Sequence, residues 1–297
     1  MSDRRFARTP LRELIDAGVL PYTPFHDLER PIYRATRDGQ SQEPATSSLA
    51  RPSVRGRRDF MGTVVTAPSA SSQYVRIASP LHTILVLVVQ AGLALRTMIR
   101  VGHMSTAANV DRVQLYERTI LFQLLMFGLV LLGVKLSGSP LASVLGDRWR
   151  SVSEVFRDAG IGVAFLFVSV MLGAVVGGHG AAADRAVQFL FPHGGTEIAF
   201  WIFVSVTAGI CEEAIYRGYL QRQFMALTKN APFGIILSAA VFGMSHAYQG
   251  FGHAFQIALL GVLSGMLAHW RKSVRPGMFA HALQDILGGL LAGRMGH

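Results

Sequence analysis

The chain has 297 residues, of which 51% are hydrophobic and only 15% charged, with a mean hydropathy of +0.36. A soluble domain of this length needs more charge to cover its surface, so the composition excludes an ordinary water-soluble protein and makes lipid the solvent for most of the chain. Although 28 Lys and Arg outweigh 18 Asp and Glu, the Arg residues are scattered and carry no nucleic-acid signature, so the excess points to loops held against anionic lipid rather than to a nucleic-acid partner.

Residues 1–79 read as a disordered, basic, cytoplasmic tail: they are rich in Arg, Ser, Pro and Asp and have no apolar run that could build a core. The stretch RPSVRGRRDF suits either a solvated linker or a membrane-surface arm. No secretory signal is expected there, because the first apolar run follows Pro80, and Met61 could begin a shorter chain.

After Pro80 come LHTILVLVVQAGLALRTMI, TILFQLLMFGLVLLGVKL and AGIGVAFLFVSVMLGAVVGG, each long enough to cross most of a ~30 Å hydrocarbon core as a helix. They carry little chemistry and form an N-terminal membrane region over residues 80–195. Four further runs over residues 196–293 carry ionisable groups: TEIAFWIFVSVTAGICEEAIY, FGIILSAAVFGMSHAY, FGHAFQIALLGVLSGMLAHW and PGMFAHALQDILGGLLAG. The expected fold is therefore all-α, a polytopic bundle of about seven spans, with no internal repeat of the inverted-transporter kind. With the N-terminus inside, Lys135, Arg148, Arg150, Arg157, Arg222, Lys229, Arg271, Lys272 and Arg275 all fall on the cytoplasmic side. The loop with Arg96, Arg100, Arg112 and Arg118 breaks that pattern.

A charge at the centre of a membrane helix costs about 2.5–3.5 kcal/mol on insertion scales. Glu212 and Glu213, His246, and His281 with Asp285 recur in three separate runs, so the accumulated cost demands a role, by default a functional site facing the bundle interior. Glu213 and Arg217 stand at i and i+4, where the guanidinium can neutralise the carboxylate; Glu212 points about 100° away and can meet another helix. His281 and Asp285 share a face by the same spacing, which suits two metal ligands, a His oriented by a carboxylate, or a pair that polarises a carbonyl. His246, four residues after Phe242, is either a packing donor or a member of the same site. His253, Gln256, His269 and Gln284 sit at span ends or lack a partner at helical spacing. Peptide hydrolysis needs an activated water and an oxyanion donor; these residues offer a Glu/His base or a zinc site of Glu212, His246, His281 and Asp285. Cys211 is the only cysteine, so a metal would have His and carboxylate ligands and no disulfide framework exists.

EEAIYRG, FGMSH and HALQD match, in order and spacing, the EExxxR, FxxxH and Hxxx(N/D) motifs of the CAAX-protease and bacteriocin-processing (CPBP) family of intramembrane proteases, and so resemble the type II CAAX prenyl endopeptidases. The resemblance covers about residues 196–293. It implies an endopeptidase of a multi-pass membrane, expected to be a bacterial inner membrane, acting on a lipidated or membrane-associated peptide or protein. Carried over by position, Glu212 and His246 activate water, His281 and position 285 stabilise the oxyanion or help hold a metal, and Glu213 with Arg217 supports the first Glu. Prenyl endopeptidases usually have Asn where this chain has Asp285, and an ionised Asp cannot donate to an oxyanion. The alternatives are a non-catalytic bacteriocin-immunity type protein and a transporter or proton relay. One feature resists the protease reading: with the fourth span ending near Tyr216, Glu212 lies well over ~10 Å in depth from His246.

Overall fold

The computed structural model describes residues 74–104, 110–176 and 188–295. Most of the expected tail, including RPSVRGRRDF and Met61, lies outside the described residues. Among the described residues the long elements are all helices: α1 (Pro80–Met104), α2 (Arg112–Leu136), α3 (Val152–Val176), α4 (Gly195–Thr228), α5 (Ala231–Ser245), α6 (Phe251–Arg271) and α7 (Arg275–Met295). Five of them, α1, α2, α3, α4 and α6, are long and apolar enough to cross a membrane. α5 has only 15 residues, about 22 Å at 1.5 Å per residue, and α7 has the length but carries the polar residues of HALQD. Large side chains such as Leu81, Val88, Leu125, Phe167, Phe203 and Phe255 point outward, as the lipid-facing surface of a bundle requires. The chain is an integral, multi-pass membrane protein.

α4 is the central helix, and its stretch Glu213–Leu220 is π-helical with every residue buried. It continues to Thr228, where the sequence reading ended the span at Tyr216. Hydropathy falls there because of Arg217, Gln221 and Gln223, yet each has a partner in the protein: Arg217 is ion-paired with Glu213, Gln221 donates to the Gly265 carbonyl at 3.0 Å, and Gln223 donates to the Ala78 carbonyl at 3.0 Å and Thr83 Oγ1 at 2.6 Å. Polar groups paired inside a bundle do not need water. Gln223 also accepts from the Ile77 amide at 2.9 Å, so residues next to Pro80 that composition assigns to the tail are held, with Ile77 and Ala78 buried.

The turn after α4 is short. Lys229 takes a left-handed φ of 54°, which ends the helix, and the Asn230 side chain accepts from the Phe233 amide at 3.1 Å to start α5. α5 then runs back along α4: Ser238 Oγ donates to the Tyr216 carbonyl at 2.6 Å and the Tyr216 ring meets Phe242 at 4.8 Å. From Glu212 to Thr228 is about 24 Å of helix, and from Ala231 to His246 about 22 Å. The two residues therefore stand at one level, and the apparent depth mismatch came from ending the span too early.

Candidate active site

Glu213 anchors the site. Its carboxylate is 2% exposed, an environment that a lone charge could not occupy. Arg217 Nη1 lies 3.3 Å from Oε1, Ser264 Oγ of α6 donates to Oε2 at 2.8 Å, and His281 Nδ1 of α7 is 3.3 Å from Oε1. Three helices thus meet on one carboxylate. Gly277 makes room for it: a Cβ there would sit 2.6 Å from Glu213 Oε2.

Glu212 turns the other way, toward the interior cavity. Its Oε2 faces His281 Nε2 at 3.8 Å and has no hydrogen-bond partner among the protein atoms. His281 Nε2 also lies 3.6 Å from Asp285 Oδ2, so this ring stands among three carboxylates. The Trp201 indole donates to the backbone carbonyl of Asp285 at 3.0 Å, tying α7 to α4 at this level.

His246 closes the site from α5. Its Nδ1 is 2.9 Å from the Phe242 carbonyl, which can only accept, so Nδ1 carries the hydrogen and Nε2 is left as the basic nitrogen. Ser245 Oγ donates to the same carbonyl at 2.7 Å. The Phe242 ring packs 4.8 Å from the His246 ring and 6.0 Å from His281, with the Arg217 guanidinium 4.1 Å over it. The four-residue spacing of FGMSH is thus both a carbonyl cap for the imidazole and an apolar wall between the imidazoles and the buried cation.

Glu212, Glu213, Arg217, His246, His281 and Asp285 all line one cavity of about 540 Å³. His253, Gln256 and Gln284 also reach it, whereas His269 is not among its lining residues. Sequence reasoning did not pick out Ser264 or Gly277, whose partners are remote in the chain; for Phe242 the i,i+4 spacing to His246 was the available signal. Among the described residues no three His, Cys, Asp or Glu side chains are disposed to hold a metal ion. As the side chains stand, the donor set does not fit zinc.

Residues 194–287 match the family model of the Type II CAAX prenyl endopeptidase Rce1-like proteins. This span holds all three motifs and every residue named above as a cavity acid, base or supporting group. The C-terminal part of the chain is therefore similar to a CAAX-type intramembrane protease. No curated protein and no solved structure matches the chain.

Proposed function

We propose that the chain is an intramembrane endopeptidase that hydrolyses a peptide bond of a membrane-associated peptide or protein, with Glu212 as the general base. The observation that carries this reading is the meeting of Glu212 on α4, His246 at the end of α5 and His281 on α7 around one interior cavity. Glu212 takes a proton from water while the water oxygen bonds to the carbonyl carbon; collapse of the tetrahedral adduct breaks the C–N bond, and the proton passes to the departing amine. The basic Nε2 of His246 orients that water. His281 is the donor to the oxyanion through Nε2, with Glu213 holding its ring at Nδ1 and Asp285 lying beside Nε2 as a counter-charge, because an ionised Asp285 has no hydrogen to give.

The test is cleavage of a reporter peptide by the purified chain reconstituted in lipid. Glu212→Gln is nearly isosteric, so it is expected to remain folded and to lose about 10²–10⁴ in rate, the usual cost of losing a general base. Full activity in Glu212→Gln would remove the protease reading and leave the immunity or transporter reading in its place.

A further inference from the structure

We infer that the cavity opens toward the non-cytoplasmic side of the membrane and takes an apolar peptide segment presented there. The substrate half of this inference rests on the protease reading; the access side does not. Chain direction fixes which helix ends lie together. α1, α3, α5 and α7 start at one end of the bundle, where α2, α4 and α6 finish. At that end Lys229 Nζ reaches the Tyr74 carbonyl at 3.3 Å, Arg271 pairs with Asp158 at 3.3 Å, and Arg275 donates to the Gly146 carbonyl at 3.2 Å.

The two ends differ in charge. Among the described residues the first carries Arg76, Lys135, Arg148, Arg150, Arg157, Arg222, Lys229, Arg271, Lys272 and Arg275, whereas only Arg96, Arg100, Arg112, Arg118 and Arg294 lie toward the second. Of the latter, Arg96 lies 4.7 Å over the Phe122 ring and Arg112 is bound to the Phe189 carbonyl at 2.8 Å. Lys and Arg excess in short loops marks the cytoplasmic side. The first end is therefore cytoplasmic.

The cavity extends the other way. From the level of Glu212 its wall continues through Gln123, Thr119 and Leu115 up α2, through Ala208, Val204 and Trp201 up α4, and on to Leu190 and Phe191 beyond the helix end. Toward the cytoplasm it is stopped by Glu213, Tyr216, Arg217, Tyr219 and Leu220, all at most 4% exposed. A second polar lock lies behind them, where His82 joins the Tyr219 hydroxyl at 2.7 Å and the Leu129 carbonyl at 3.0 Å. The outer wall is mainly aromatic and aliphatic, which selects an apolar segment rather than a charged one. A substrate confined to the cytoplasm would meet only the sealed end.

Side-specific cysteine labelling tests this in the full chain. The single native thiol, Cys211, is 1% exposed, so the parent gives the blank. Thr119→Cys reports the cavity wall, Gly195→Cys the second end, where a Cβ meets nothing within 4 Å, and Arg150→Cys the first. A membrane-impermeant thiol reagent added outside right-side-out vesicles is expected to label Gly195→Cys and Thr119→Cys fully, and Arg150→Cys only after permeabilisation. An apolar hexapeptide is expected to slow labelling of Thr119→Cys, and an acidic hexapeptide to leave it unchanged. Labelling of Arg150→Cys from outside would overturn the orientation. Labelling of Thr119→Cys only together with Arg150→Cys, or from neither side, would overturn the opening, and equal protection by the acidic peptide would overturn the substrate class. If labelling follows expectation but no peptide is cut, it is the protease reading that fails and the access side that stands.

Discussion

Removing the guanidinium of Arg217 while leaving its length, as Arg217→Met, strands the Glu213 carboxylate at 2% exposure with only Ser264 and His281 as partners. Breaking a buried pair by removing one member costs about 3–5 kcal/mol, because the remaining charge has lost its compensation. Glu213→Gln strands the cation instead, at 4% exposure and against the Phe242 face, and falls in the same range. The double variant removes both charges. An amide in place of the carboxylate still accepts from Ser264, so its cost should be well below the sum of the two single costs, with a coupling of about 2–3 kcal/mol between the sites, as expected for groups in direct contact. Reversible denaturant unfolding of the purified chain in mixed micelles, followed by intrinsic Trp fluorescence, gives the three differences. Additive single costs, or a single variant as stable as the parent, would refute the reasoning that Glu213 and Arg217 act as a pair. The cycle also separates the two acids, since Glu212→Gln removes a carboxylate whose cavity-facing oxygen has no hydrogen-bond partner and should unfold close to the parent.

Gly277→Ala places a methyl group 2.6 Å from Glu213 Oε2 and 3.3 Å from Ser264 Oγ, so it should displace the carboxylate, cost about 1–3 kcal/mol and depress cleavage; wild-type melting and turnover would contradict it. Two glycines of α2 should respond with opposite signs: Gly133→Ala drives a Cβ into the His82 ring and should cost about 1–3 kcal/mol, whereas Gly128→Ala meets nothing within 4 Å and should gain about 0.5–1 kcal/mol from helix propensity. Equal melting of those two variants would show that the His82 lock carries no stability. Chelation by EDTA or phenanthroline should leave peptide cleavage unchanged, because among the described residues no three donor side chains are disposed to hold a metal ion; loss of activity restored by added zinc would establish a metal-assisted reaction and a rearranged donor set.

Much of this arrangement could be read from spacing alone, because the relations involved are local to one helix. Glu213 with Arg217, His281 with Asp285, and Phe242 with His246 are all four residues apart, and each pair meets as helical geometry requires, at 3.3 Å, 3.6 Å and, through the carbonyl, 2.9 Å. The interhelical relations left no such trace. Glu213 is completed by Ser264 and Gly277, about fifty and sixty positions away, and neither residue type signals a partner by itself. The span boundary failed for a related reason. A hydropathy reading treats Arg217, Gln221 and Gln223 as groups seeking water, while in the bundle each finds its partner on another part of the chain, and α4 runs on for twelve residues past Tyr216.

That extra length decides whether a site exists at all. Had α4 ended at Tyr216, α5 would begin near the level of Glu212 and carry His246 some 20 Å beyond it, since fifteen residues of helix separate Ala231 from His246. Extending α4 to Thr228 lengthens the descending arm to about 24 Å, nearly equal to the ascending arm, so the hairpin folds His246 back onto the level of the acids. The polar residues that ended the hydropathy signal are therefore the ones that lengthen the arm, and the satisfied Gln221 and Gln223 are part of what places His246 beside Glu212.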